Sequence, residues 1–193
     1  MSLGGFIGAL AALVVLLLVW AVLIYNRLVA RKQQTAEGWS GIDVQLKRRA
    51  DLIPNLVETV KAYTSHERST LESLTEMRRQ ALAASGAPAG QRAAAEERLS
   101  SALGRLLAVA ENYPDLKASE NYLALQEELS AIENHIQMAR RYYNGAVRLL
   151  NTLIDSFPSN LVADRFGFMK AEYYEIDKTA DRELPAVRFG ETA

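Results

Sequence analysis

Residues 3–24, LGGFIGALAALVVLLLVWAVLI, contain no charged side chain. As a helix, these roughly 22 residues rise about 33 Å, which matches the roughly 30 Å hydrocarbon core of a bilayer. A secretory leader would carry a basic start, a shorter apolar core and a small-residue cleavage site. This run has no Lys or Arg ahead of it and is too long, so it is read as a retained transmembrane anchor, and the lipid bilayer is the first expected partner. Trp20 and Tyr25 suit the headgroup level, and Arg27, Arg31 and Lys32 follow them. By the positive-inside rule the N-terminus is expected outside and everything after Asn26 in the cytoplasm. Gly4, Gly8 and Ala12 recur every fourth residue, a small face through which membrane helices can approach one another.

Beyond the anchor the pattern is helical. Tyr122, Leu125, Leu129, Ile132, Ile136, Ala139, Tyr143, Ala146, Leu150, Leu153 and Phe157 alternate spacings of three and four, the seam of a long rod that Pro158 ends. Leu99, Leu103, Leu106, Ala110 and Tyr113 form a second stripe. It stops at Pro114 and Asp115, after which Ser119 is placed to cap the long helix. A third stripe, Leu56, Val60, Tyr63, Leu71, Leu74 and Met77, belongs to a helix running from near Leu52 to the loop ASGAPAGQ, residues 84–91. Short connections imply antiparallel neighbours. The fold expected is therefore all-α: a single N-terminal transmembrane helix (1–25), then an elongated antiparallel bundle of three to four long helices (26–175) whose stalk helix covers 26–50, then a polar tail (176–193).

Pro54 interrupts this pattern just after Lys47, Arg48 and Arg49. Inside a helix a proline loses one hydrogen bond and clashes with the preceding turn, at about 3 kcal/mol, whereas in a first turn it costs little. With Asp51 as N-cap, Pro54 falls in the first turn of a new helix, and the basic trio closes the preceding one, where cations suit the helix dipole. Asp51 and Pro54 are accordingly expected to form a hinge. The competing reading makes the trio a phosphate or lipid-headgroup site.

Three stretches carry a family resemblance. WSGIDVQLKRRADLIPNLVETVKAY, ENYPDLKASENYLALQEELSAIENHIQMARRYYN and FPSNLVADRFGF resemble the LemA family in order and separation, over about residues 25–175. The resemblance implies a bacterial single-pass protein of the cytoplasmic membrane with an all-helical bundle and no established enzymatic activity. The family has been loosely linked to membrane organisation and to membrane-protein partners. It supplies no catalytic residues to carry over. Ala62 and Thr64 stand around Tyr63 where the family often shows glycine, and the tail past Glu175 is expected to fall outside the family pattern.

The chemistry of the residues agrees with that expectation. The 22 basic and 23 acidic side chains nearly cancel, which disfavours nucleic acid as a partner, and the absence of cysteine excludes thiol catalysis. A di-metal bundle site needs Glu-x-x-His pairs, and neither His66 nor His135 has a glutamate three residues earlier. No cofactor, metal or catalytic residue is expected, and the chain is read as not an enzyme. Arg140, Arg141, Asn144 and Asn151 share a face of the long helix, which is either solvated or an inter-subunit contact. The crowded aromatics Phe166, Phe168, Tyr173 and Tyr174 either cap the bundle end or dock on a neighbouring chain. The function these features suggest is a membrane-anchored scaffold forming a homo-oligomer through Gly4, Gly8, Ala12, Arg140, Asn144 and Asn151. The alternative is an accessory of a membrane protease or other membrane enzyme.

Overall fold

The computed structural model describes residues 3–64 and 66–175. The tail 176–193, read above as a separate polar segment, lies outside the described residues. Six helices follow one another: α1 (Leu3–Tyr63), α2 (Arg68–Ala83), α3 (Ala89–Ala110), the single turn α4 (Pro114–Lys117), α5 (Glu120–Asp155) and α6 (Ser159–Arg165). There is no strand among the described residues, so the fold is the all-α bundle that the periodicity predicts.

A single helix of 61 residues, α1 is about 92 Å long. Leu28, Thr35, Gly38, Ile42, Leu46, Arg49, Ala50, Ile53, Leu56 and Val60 are its buried positions; all but Ala50 follow spacings of seven, four and three, and the stripe packs on α5 and, farther along, on α2 and α3 as well. The two helices run antiparallel, with Leu28 clustered against Leu150 and Ile154, and Ile42 and Leu46 against Ile132 and Ile136. Gly38 lets them approach, since a Cβ there would lie 3.1 Å from the Cα of Tyr143. At the end remote from the apolar segment, α2 and α3 complete a four-helix core around Leu56, Leu74, Leu99 and Leu106, all fully buried. Nearer the apolar segment α1 and α5 continue without them. There α6 and an extended stretch, residues 168–175, fill the groove, and Tyr174 packs with Trp39, Ile42 and Tyr143.

Several expectations are corrected. Asp51 and Pro54 do not divide two helices: both residues lie within α1, and Asp51 is an exposed helical residue, not an N-cap. Pro54 cannot donate to the carbonyl of Ala50, and Arg78 of α2 does so in its place, Nε to O at 2.6 Å. A tertiary donor thus removes part of the cost that the sequence alone assigns to a mid-helix proline. α1 ends at Tyr63, where the Thr64 hydroxyl donates to the carbonyl of Val60. Tyr63 is 44% exposed instead of lining the inner face. Phe157 likewise leaves the seam of α5 and is 79% exposed. Ser119 does occupy the N-cap position of α5, though its hydroxyl makes no capping bond.

This arrangement makes the contribution of Arg78 depend on Pro54. Arg78→Ala should destabilise the bundle by about 1 to 2 kcal/mol, the net value of a hydrogen bond from a charged donor at a half-exposed site. In a Pro54→Ala background, where residue 54 supplies its own N–H, the same change should cost less than about half as much. Equal costs in both backgrounds, measured by denaturant unfolding, would remove the link between the two residues.

Candidate functional site

Two polar assemblies and one apolar surface stand out, and each starts from the α1–α5 pairing. The first assembly occupies seam positions. In α1, Arg49 takes the place an apolar residue would have between Leu46 and Ile53; in α3, Arg92 and Glu96 precede Leu99, Leu103 and Leu106 at the same spacing. All three are buried. Arg49 donates to Glu96 Oε2 at 2.7 Å, to Ser100 Oγ at 2.8 Å and to Glu133 Oε2 at 3.0 Å, tying α1 to α3 and α5. The other oxygen of Glu96 lies 3.2 Å from Arg92 Nε. Arg92 also donates to the carbonyl of Ala81 near the end of α2, at 2.8 Å, and lies 3.4 Å from Asp43.

Beside this network lies a cavity of about 570 Å³, lined by Arg49, Glu96, Glu133, Arg140 and Tyr174 among others. Burial, and secondarily the charge of Glu96, push the Tyr174 hydroxyl up to about 12, so it stays protonated at neutral pH. Each oxygen of Glu96 already faces a guanidinium. The cluster acts chemically as a set of neutralised ties between helices.

The second assembly corrects the expectation for Asn144 and Asn151. Asn151 Oδ1 accepts from the backbone N–H of Ala171 at 2.9 Å, and its Nδ2 donates to the carbonyl of the same residue at 2.9 Å. Asn144 repeats the pattern on Tyr174, at 2.9 and 3.1 Å. Seven helical residues advance about 10.5 Å and three extended residues about 10 Å, so the two amides fall in register with alternate points of one extended chain. The Tyr143 hydroxyl adds a bond to the carbonyl of Glu172 at 2.8 Å. Both half-buried asparagine amides are therefore bonded to the backbone of their own chain. Arg140 is half-buried at the cavity edge and Arg141 is exposed. Sequence periodicity missed this ladder, although the seven-residue spacing of two asparagines was its signal.

The extended stretch is launched by Gly167, whose φ of +68° ends α6. The amides of Phe168 and Gly167 return to the carbonyls of Ala163 and Asp164, the double bond that closes a helix on a left-handed glycine. The aromatics then distribute along the chain: Phe166 and Phe168 meet Tyr25 edge-on at 4.9 and 5.7 Å, and Tyr174 reaches Trp39. They dock on α1 of their own chain and not only at the bundle end.

The apolar surface is the first part of α1. From Ile7 to Leu23 its large side chains are exposed, most by half or more, and among the described residues only the end of α5 approaches them, at Trp20. Gly4, Gly8 and Ala12 are exposed on the same segment, and a Cβ on either glycine would meet nothing within 4 Å. His66 and His135 are exposed, and no cluster of three metal-binding side chains occurs among the described residues.

A bare apolar helix of bilayer length, continuous with a folded helical bundle, defines a membrane-associated helical protein. Comparison with known proteins identifies which kind. The LemA family model matches residues 38–189, most of the chain, and the chain belongs to that family. The match extends past Glu175, so the tail is not outside the family pattern as expected from sequence. Magnetosome protein MamQ 2 of Paramagnetospirillum magneticum is 27% identical over 184 residues, covering 83% of this chain and 68% of that one. MamQ of Magnetospirillum gryphiswaldense is 23% identical over the same span, and Protein LemA of Metamycoplasma hominis 27% over 150 residues, 78% of this chain and 68% of that one.

Proposed function

We propose that this protein is a single-pass membrane anchor carrying a rigid helical scaffold, and that its work is to hold and space partners at the membrane rather than to catalyse a reaction. The observation that carries this reading is the continuity of α1. One helix supplies both the apolar segment and the spine on which α5 packs, so the bundle has no flexible linker to the anchor. A catalytic domain gains little from such stiffness, whereas a spacer depends on it. The similarity to magnetosome proteins and to a LemA protein supports a membrane setting.

In this reading the bundle lies on the cytoplasmic side of the bacterial inner membrane, which is supported by Arg27, Arg31 and Lys32 at the C-terminal flank of the apolar segment. Copies associate through the face of Gly4, Gly8 and Ala12, which is exposed among the described residues. The side of α5 bearing Asn144 and Asn151 is spent on the chain's own extended stretch and takes no part.

The full-length protein, solubilised in mild detergent and sized by light scattering, should be an oligomer of uniform mass. Gly8→Leu should lower that mass while leaving helicity unchanged. A parent that is monomeric, or a variant of unchanged mass, sinks self-assembly through this face. For orientation, a cysteine introduced at exposed Ser130 should resist an impermeant reagent in intact spheroplasts, and labelling there would reverse the assignment.

A further inference from the structure

The antiparallel register brings the end of α5 level with the end of the apolar segment of α1. A cavity of about 440 Å³ opens between them, with Trp20 and Ile24 on one side, Leu153, Phe157 and Pro158 on the other, and Arg27 and Arg31 also lining it. The corner formed by α5, α6 and the following turn displays Phe157, Leu161, Phe166 and Met169, exposed by 79, 58, 59 and 84%. Four large apolar side chains in one corner are an unusual exposure for a bundle immersed in water. The charged groups among them are Asp155, which pairs with Lys170 at 2.8 Å, and exposed Asp164 and Arg165.

We propose that this corner is a second membrane contact, with Phe157, Leu161, Phe166 and Met169 immersed in the headgroup and upper acyl layer of the leaflet through which α1 passes. The inference rests on the reading of the apolar segment as a membrane span and adds to it that the folded bundle itself touches lipid. Continuity names the occupant: Phe166 packs edge-on against Tyr25, and Phe157 shares the cavity with Trp20 and Ile24. Trp20 lies about 7 Å along the helix from Tyr25, so any lipid that reaches Trp20 also reaches Phe157. Aromatic bodies at that depth, with arginines and a lysine beside them to extend toward phosphates, form the pattern of an interfacial contact. Two contacts, one spanning and one lying in the interface, fix the tilt and rotation of the bundle, which a lone helix leaves free.

The test uses full-length protein reconstituted in phosphatidylcholine vesicles whose acyl chains carry bromine as a quencher. Three proteins each keep one tryptophan: Trp39→Phe retains Trp20, Trp20→Phe retains Trp39, and Phe157→Trp is placed in the doubly substituted Trp20→Phe, Trp39→Phe background. The Phe157→Trp reporter should be quenched about as strongly as Trp20, several-fold more than Trp39 in the bundle, with a blue-shifted emission. A Phe157→Trp reporter no more quenched than Trp39, while Trp20 is quenched, overturns the corner contact and leaves the anchor standing. A blue shift without quenching has the same meaning, because protein and not lipid then covers the corner. An unquenched Trp20 overturns the anchor and this proposal together.

Discussion

Arg49→Met should destabilise the bundle by about 3 to 5 kcal/mol, the cost of removing one member of a buried ion pair and leaving the other. Glu96 would retain only Arg92, Ser100 would lose the Arg49 donor, and Glu133 would keep only Gln137. Arg49 and Glu96 have side chains only 4 and 5% exposed, so water cannot repair the loss. Arg49→Lys keeps the charge but cannot reach three acceptors with one planar fork, and it should fall between parent and Arg49→Met. Replacing both members, Arg49→Met with Glu96→Leu, should cost less than the sum of the two single changes, because neither leaves the other unpaired, although buried Arg92 then keeps only the Ala81 carbonyl and Asp43. Denaturant unfolding of the detergent-solubilised chain, followed by circular dichroism, compares the parent with all four variants, Glu96→Leu alone included. A cost below about 1 kcal/mol for Arg49→Met would mean that the network adds nothing to stability beyond an ordinary surface pair.

The same network shows where sequence reading succeeds and where it stops. The anchor was legible because bilayer thickness sets the length of an apolar run, and the long helix was legible because its seam repeats by threes and fours. From sequence, Arg49 reads as one of a basic trio that closes a helix. Yet it falls in step with Ile42, Leu46, Ile53, Leu56 and Val60, and a charge at a seam position is itself a sign of a buried partner. Its neighbours Lys47 and Arg48 are out of step and are exposed. Pro54 misled for a different reason. Local rules price a proline by what its own helix loses, and the donor that compensates, Arg78, lies on another helix. Periodicity describes faces of single helices and carries no information on which distant group completes a hydrogen bond.

The extended stretch gives the other large effect. Removing both amides by Asn144→Ala with Asn151→Ala deletes four hydrogen bonds to the backbone of Ala171 and Tyr174, each worth about 0.5 to 1.5 kcal/mol net. The stretch should then undock at a cost of roughly 2 to 4 kcal/mol, exposing Tyr174 and opening the groove over Trp39 and Ile42. Its loss should leave helicity nearly intact, because α1 and α5 keep their own contacts along the seam. A substitution that keeps the shape sharpens the test. Asn144→Asp still accepts from the Tyr174 amide but sets a carboxylate oxygen against the Tyr174 carbonyl, where the parent has a donor. It should loosen Tyr174 at least as much as Asn144→Ala, which no argument from side-chain volume predicts. Hydrogen exchange at the amides of Ala171 and Tyr174 reports the outcome directly. If their protection survives in the double alanine variant, packing of Phe168 and Tyr174 holds the stretch and the amide ladder does not. A variant whose amides stay protected while its oligomer dissociates would instead return Asn144 and Asn151 to a contact between chains.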